Sequence, residues 1–313
     1  MSSPPTSVAL DEFALIRRYF HHAQGDSVVA GPGDDAAIVT PPVGHELVLT
    51  QDTSLAGRHF PLDMAAADVG YRCLAVNLSD LAAMGAQPLW FLLSLTLPEV
   101  DETWLEGFAA GLFELADATG ISLVGGDVTR GPLSVSIQAT GAVPVGQALR
   151  RSGARVGDAI CVGGVTGAGL LGLQQWQQGQ REGAAVTHFR RPVPQLALGQ
   201  ALRGTATACI DISDGTVADL GHILAASGGL GAVLDEALLP VGTALLGDCD
   251  VQTQRQLQLQ GGDDYVLLFT IDPRTTLPEG CHRIGTVESQ PGVRLNNLLG
   301  QPVPLTLGGW QHF

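Results

Sequence analysis

The sequence predicts a two-domain protein: an α+β domain of mixed elements over residues 1–148, then an α/β domain over residues 149–313. Three observations carry this prediction. The chain has 313 residues and is 45% hydrophobic, enough for two domains of ~150 residues with a core each. Helical and extended apolar patterns alternate along both halves. Near residue 150 the composition shifts to Pro144, Gly146, Arg150, Arg151, Gly153 and Arg155, the mark of a junction between domains.

In the first half, Asp11 is placed to cap a helix reaching His22, with Phe13, Ile16 and Phe20 on one face. Ala36–Thr40 and Glu46–Thr50 read as short strands around a Pro-Pro turn. Ala65–Met84 reads as a long helix that is apolar almost all round, and therefore buried. Leu89–Leu97 reads as a buried strand, and Asp101–Thr119 as an amphipathic helix with Trp104, Phe108 and Phe113 spaced for a core. Ile121–Val124 and Leu133–Thr140 complete the first domain as strands. In the second half, strands are predicted at Ala159–Val162, Ala208–Ile212, Gly231–Leu234, Tyr265–Thr270 and His282–Val287. Helices are predicted at Gly169–Gln178, Gln195–Arg203 and Thr216–Ala226. The Gln-rich stretch Gln174–Gln180 reads as a helix end and loop.

Charge narrows the function. The net charge is −15, and all 16 basic residues are Arg. Attraction to nucleic-acid phosphates or anionic lipid is disfavoured. Without Lys there is no Walker lysine, Schiff-base lysine or kinase β3 lysine, so phosphate chemistry falls to Arg, backbone amides and metal ions. The acids are 21 Asp against 10 Glu, and many Asp sit beside Gly, where short carboxylates in turns can meet a cation. The five cysteines (Cys73, Cys161, Cys209, Cys249, Cys281) form no CxxC pair, so neither a disulfide framework nor a zinc cluster is expected. Met1–Pro5 has no basic or apolar leader pattern. The longest apolar run, Leu89–Leu97, falls far short of the ~20 residues of a membrane span. A cytoplasmic protein is expected.

One arrangement recurs: an apolar strand, then Asp in a Gly-rich or polar turn. It appears in Gly31-Pro32-Gly33-Asp34-Asp35, Thr50-Gln51-Asp52-Thr53, Gly125-Gly126-Asp127, Asp211-Ile212-Ser213-Asp214-Gly215 and Gly261-Gly262-Asp263-Asp264-Tyr265. Each alone is an ordinary turn. Five together, in one pocket, would repel unless cations neutralise them, and Mg²⁺ with a phosphate is the natural guest. Asn77 and Asp80 share a face of the buried helix, either as a helix-to-loop hydrogen-bonding pair or as metal ligands. His59 follows the Asp52 segment in a turn, as a surface histidine or a functional one. Arg130 and Arg151 are phosphate partners or surface ion pairs. Two look-alike motifs fail. Gly167-Ala168-Gly169-Leu170-Leu171-Gly172 fits GxGxxG, but no second strand ending in an acid follows. Asp211–Gly215 resembles part of a calcium loop, but His222 stands where the closing Glu belongs.

Taken together, GPGDDAAIV, TQDTSLAGRHF, AVNLSDLAAMGA, GGDVTRGP, DISDGTVADLGHI and GGDDYVLLFT, in this order and spacing, resemble the thiamine-monophosphate kinase family. The likeness spans almost the whole chain. It implies a PurM-like fold, shared with aminoimidazole ribonucleotide synthetase, selenophosphate synthetase and a hydrogenase-maturation protein. It also implies a homodimer joined through a sheet or barrel of the N-terminal ATP- and Mg²⁺-binding domain. The implied reaction moves the γ-phosphoryl of ATP to thiamine monophosphate. By the same resemblance, Asp35, Thr50, Gln51 (through its backbone), Asp52, Asp80, Asp127, Asp211 and Asp214 hold several Mg²⁺ ions. Gly126, Asp127, Arg151 and Ser213 meet ATP; His59, Asp263 and Trp310 meet the thiamine substrate. Two positions depart from the family pattern. Asp263 stands where the family usually has Glu, and Leu307 where an aromatic residue often aligns, which leaves Trp310 as the nearest replacement. Selenophosphate synthetase would carry a reactive Cys and Lys near the N-terminus and the hydrogenase-maturation protein a C-terminal Cys; this chain has neither. A non-catalytic nucleotide-binding relative is the remaining alternative.

Overall fold

In the computed structural model, residues 12–247 and 249–305 are described. Trp310 and Leu307 lie outside them. The chain packs as two compact units. One is built from residues up to Pro42 with Gln51–Leu74 and Leu89–Thr140. The other is built from Val43–Thr50, Ala75–Pro88 and the chain from Gly141 onward.

The first elements are α1 (Glu12–Tyr19), β1 (Val28–Ala30), β2 (Ile38–Val39), β3 (His45–Leu55) and α2 (Ala66–Ala83). They are followed by β4 (Gln87–Leu97), α3 (Glu102–Thr119), β5 (Ser122–Arg130) and β6 (Ser134–Pro144). β1 and β2 pair antiparallel; the longer strands form a four-stranded sheet in the order β3-β6-β4-β5. The α3 ends follow from sequence chemistry. Asp101 accepts the backbone N–H groups of Thr103 and Trp104 at 2.9 and 3.1 Å, and Gly120 closes the helix at φ 72 with its N–H on the Ala116 carbonyl, so amides are capped at the start and a carbonyl at the end. α2 is as buried as its composition requires: Leu74, Leu78, Ser79 and Leu81 have no exposure.

The structure alters one expectation. Asp52 and Asp127 do not follow strands but lie inside β3 and β5. The Gly125-Gly126 pair that reads as a turn lies in β5 directly after a β-bulge in the parallel β4–β5 pairing. Phe91 pairs with Leu123 and Leu92 with Gly125, leaving Val124 as the extra residue. Gly126 sits at φ 151, and a Cβ there would lie 1.8 Å from the Leu93 carbonyl oxygen, so only glycine fits position 126 beside the bulge.

Beyond Pro144 come β7 (Ala159–Val162), α4 (Ala168–Gln177), α5 (Ala184–Arg190), α6 (Leu196–Ala201), β8 (Ala206–Asp211), α7 (Thr216–Ala226) and β9 (Gly231–Asp235). Then follow α8 (Thr243–Leu246), α9 (Val251–Gln260), β10 (Leu267–Ile271), β11 (His282–Glu288), β12 (Gly292–Asn296) and β13 (Pro302–Val303). The sheet order is β13-β12-β9-β11-β7-β10-β8, with β12 and β9 parallel. Its strands β7 and β10 are buried at every position because both faces are covered. Ile160, Val162, Ile210 and Leu268 pack with Val217, Leu220, Ile223 and Leu224 of α7. Cys161, Cys209, Leu267 and Phe269 pack with Leu149, Leu202, Ala82 and Ala83 on the other side. This places the end of β8, and with it Asp211, beside the last turns of α2.

Candidate active site

Within the first unit, a cleft of about 950 Å³ is lined by α1, the segment from Gly31 to Ala37, and β4 and β5. Three carboxylates face it, Asp34, Asp35 and Asp127, together with the bulge glycines 125 and 126; its basic residues are Arg17 and His21. Apolar walls come from Ile16, Phe20, Val39 and Trp90. Gly33 is at φ 120, and Asp34 accepts the Asp35 N–H at 2.9 Å, so the acidic turn is bent and fixed locally. The cleft thus joins an apolar pocket to a bare carboxylate end, a shape suited to a nucleotide whose phosphates arrive with cations. Arg130, a candidate phosphate partner, instead donates Nε to the Pro98 carbonyl at 3.2 Å.

Also in this unit, β3 turns Asp52 and Ser54 toward the more buried side and leaves the Gln51 side chain on the exposed one. A Gln51 contact on Asp52's side is therefore a backbone matter. Asp52 lies near enough to Cys73 to help raise its thiol, although burial is the larger cause of the rise to about 11. In the turn after β3, His59 Nδ1 accepts the Leu55 N–H at 3.0 Å. That bond leaves the ring proton of neutral His59 on Nε2.

Within the second unit, Thr50 donates to Asp80 Oδ2 at 2.5 Å, and Ser79 donates to Asp211 Oδ2 at 2.7 Å. Asp211 is only 4% exposed. Burial, then the charge of Asp80, push its carboxyl up to about 7. Asp80 is near enough for its charge to raise the buried Asp211 carboxyl, and the two together are a hard-oxygen donor set. That set fits Mg²⁺.

Beyond β8, three loops meet in the same unit. Asp263 N–H and Tyr265 N–H donate to the carbonyls of Ser213 and Ile212, both at 2.8 Å. Asp264, with no exposure, accepts the N–H groups of Gly167 and Gly169 at 2.5 and 2.8 Å. Burial raises its carboxyl to about 7 against those bonds. Asp219 accepts the N–H groups of Ser213, Asp214 and Gly215 at 3.1, 3.0 and 3.1 Å, and its carboxyl is pushed up to about 6, chiefly by burial. Ligand atoms of Asp214, Asp219 and His222 lie within 4.8 Å of one another. Ser213 is exposed and Asp214 half-buried; Arg151 is exposed on the loop before β7.

Of the residues singled out in the sequence, Asp35, Gly126 and Asp127 share the cleft. Thr50 and Asp80 are bonded to each other, and Asp211 stands beside Asp80. Ser213 and Asp263 are joined through the backbone. Comparison with known proteins gives these groups a context. Over 323 residues, covering 98% of this chain and 99% of the relative, the sequence is 43% identical to the thiamine-monophosphate kinase of Salmonella typhimurium strain LT2. The chain belongs to the thiamine-monophosphate kinase family. Residues 33–143 match the family model described as AIR synthase related protein, N-terminal domain. The fold is PurM-like. It is similar to the thiamine-monophosphate kinase of Stenotrophomonas maltophilia K279a, with a TM-score of 0.82, 42% identity, and 89% of this chain and 93% of that one covered. It is also similar to AaThiL complexed with AMPPCP and TMP, at 0.77, 30%, 90% and 91%.

For a member of this kinase family, both look-alike motifs now have structural explanations. The amides of the GxGxxG turn are taken by Asp264, which leaves no free helix start for a dinucleotide's pyrophosphate. The amides of the calcium-loop look-alike are taken by Asp219 at the start of α7. Asp219 and Asp264 carry no local signal of their contacts in the sequence. The one available signal of a site there was the doubled acid of Gly-Gly-Asp-Asp-Tyr, in which only the first was singled out.

Proposed function

We propose that the chain is a cytoplasmic, homodimeric kinase that transfers the γ-phosphoryl group of ATP to thiamine monophosphate, giving thiamine diphosphate and ADP. The observation that carries this reading is the pairing of buried Asp211 with Asp80, in a chain similar over its length to kinases of that name. The likeness to AaThiL complexed with AMPPCP and TMP supports ATP and thiamine monophosphate as the two ligands.

The roles follow from the donor types. Asp35, Thr50, the Gln51 backbone, Asp52, Asp80, Asp127, Asp211 and Asp214 are the proposed Mg²⁺ ligands. Gly126, Asp127, Arg151 and Ser213 are the proposed ATP contacts. His59, whose Nε2–H can donate to a phosphate oxygen, and Asp263 are the proposed acceptor contacts, together with Trp310. Residues 1–148 form the proposed nucleotide and dimerisation domain and 149–313 its partner. The acceptor is itself a phosphate, so its oxygen needs no strong base. What the chain must do is hold two anions in line and exclude water. Bound Mg²⁺ supplies the charge that offsets their repulsion. The side chains position and stabilise, and no covalent phospho-enzyme is involved.

The test is ADP release from Mg·ATP with and without thiamine monophosphate, with thiamine diphosphate followed by chromatography. One thiamine diphosphate per ADP is expected, with a loss of ~100-fold or more in Asp52→Asn. ATP binding without thiamine diphosphate would favour the non-catalytic alternative.

A further inference from the structure

We propose that Asp264, braced by His188, is the positioning residue that fixes Asp263 for the acceptor substrate. The proposal rests on the assignment of Asp263 to thiamine monophosphate.

Asp263 and Tyr265, on either side of Asp264, have φ of 69 and 55, the positive-φ non-glycine residues among those described. Side chains hold this left-handed conformation only where the surroundings over-determine it. Here the surroundings do so from several sides. The N–H groups of both residues are tied to the 212–213 backbone. The Asp264 carboxylate is buried and grips the Gly167 and Gly169 amides. His188 Nε2–H donates to the Asp264 carbonyl at 3.0 Å and lies 3.8 Å from its Oδ1. Gly169 packs against the Asp263 carbonyl so closely that a Cβ would stand 2.3 Å from the oxygen.

This geometry gives Asp264 a role beyond holding a helix start. The strained residue it fixes is the proposed acceptor contact, and that contact is one methylene shorter than the family's usual Glu. A shorter arm cannot compensate for a displaced backbone by changing rotamer. The reach of Asp263 is therefore set by the backbone that Asp264 holds. The two carboxylate oxygens of Asp264 each take one amide, Oδ2 that of Gly167 and Oδ1 that of Gly169; Asn offers one acceptor oxygen in their place, so it leaves one amide unmet and loosens this backbone first.

The test is steady-state kinetics with each substrate varied in turn. Asp264→Asn is expected to raise KM for thiamine monophosphate about tenfold and to leave KM for ATP within about twofold. His188→Leu removes the donor to the Asp264 carbonyl and is expected to move the same KM by a smaller factor. His188→Gln keeps an N–H donor and is expected to restore it. Equal rises in both KM values would reduce Asp264 to a fold element and overturn the proposal. So would a fall in kcat and melting temperature with acceptor KM unmoved. If Asp264→Asn does not fold, the His188 pair decides: equal acceptor KM in Leu and Gln variants overturns the proposal. A wild-type protein that makes no thiamine diphosphate overturns the acceptor assignment itself, whereas wild-type turnover with an unmoved acceptor KM overturns only the role of Asp264.

Discussion

Asp211 closes β8 almost out of solvent, next to Asp80 and under the hydroxyl of Ser79. Its carboxyl is pushed up to about 7, by burial first and by Asp80 second. A Mg²⁺ ligand there must be ionised, so below pH 7 binding has to displace a proton and above pH 7 it does not. Mg²⁺ affinity is therefore expected to rise with pH up to about 7 and to level off beyond it, with proton release on binding at pH 6 that fades by pH 8. Calorimetric titration of Mg²⁺ in two buffers of different ionisation enthalpy reads both quantities. In Asp211→Asn the affinity should be weaker at pH 8 and the pH step gone; a step that survives the substitution removes Asp211 from the ligand set. The sequence made Asp211 and Asp80 legible because each stands in an apolar run, where an acid needs a reason to be present. Asp219 stands among apolar residues of α7 and Asp264 in a Gly-rich loop, and both serve backbone amides. In the case of Asp264 those amides lie more than ninety residues away in the chain, a distance over which no local pattern operates.

Glycines set how closely the elements approach. Where α2 crosses α3, a Cβ on Gly111 would lie 1.8 Å from the Ala67 carbonyl oxygen, and one on Gly70 2.1 Å from that of Phe108. The two helix backbones touch there, and no side chain fits between them. Gly111→Ala is expected to cost about 2–3 kcal/mol of stability by overpacking, read from the denaturant midpoint. An unchanged midpoint would mean that the crossing can open at little cost. Element types were largely legible because α3 carries a helical apolar stripe, α2 is an apolar run too long for a strand, and β7 and Leu267–Phe269 of β10 are short apolar runs. The helix α9 was not, since Val-Gln-Thr-Gln-Arg-Gln-Leu-Gln-Leu-Gln alternates like a strand. It is helical with Asp250 as its cap, accepting the amides of Gln252 and Thr253, and it buries Leu257, Gln258 and Leu259 together. The extension of β3 and β5 through Asp52 and Asp127 was missed for a related reason. Polar and Gly-rich residues read as turns, but the ladder continues wherever neighbouring strands supply its hydrogen bonds.

At the scale of the whole molecule, β3 carries a conflict that a single copy leaves open. Val48, Thr50, Asp52 and Ser54 take its sheltered side, while Leu47, Leu49 and Leu55 are 43%, 66% and 43% exposed on the other. Three leucines on one face of a strand are costly to leave in water, at ~25 cal/mol per Å² of apolar surface. A second copy laid on this face would cover them, and the same strand carries Thr50, Gln51 and Asp52 between those leucines. Dimerisation and metal binding would then be properties of one strand, and loosening the pair would loosen the ligands. Sedimentation equilibrium of the wild-type protein is expected to give twice the chain mass of 32.5 kDa. Leu49→Asp is expected to shift the protein to monomer and to cut turnover at least ~tenfold, because a charge buried without a partner opposes association. Since Leu49 faces away from Thr50 and Asp52, a loss of activity that follows the loss of mass across protein concentrations ties the two together. A variant that is monomeric and fully active would separate them, and a wild-type chain of single mass at micromolar concentration would leave the leucines to another partner.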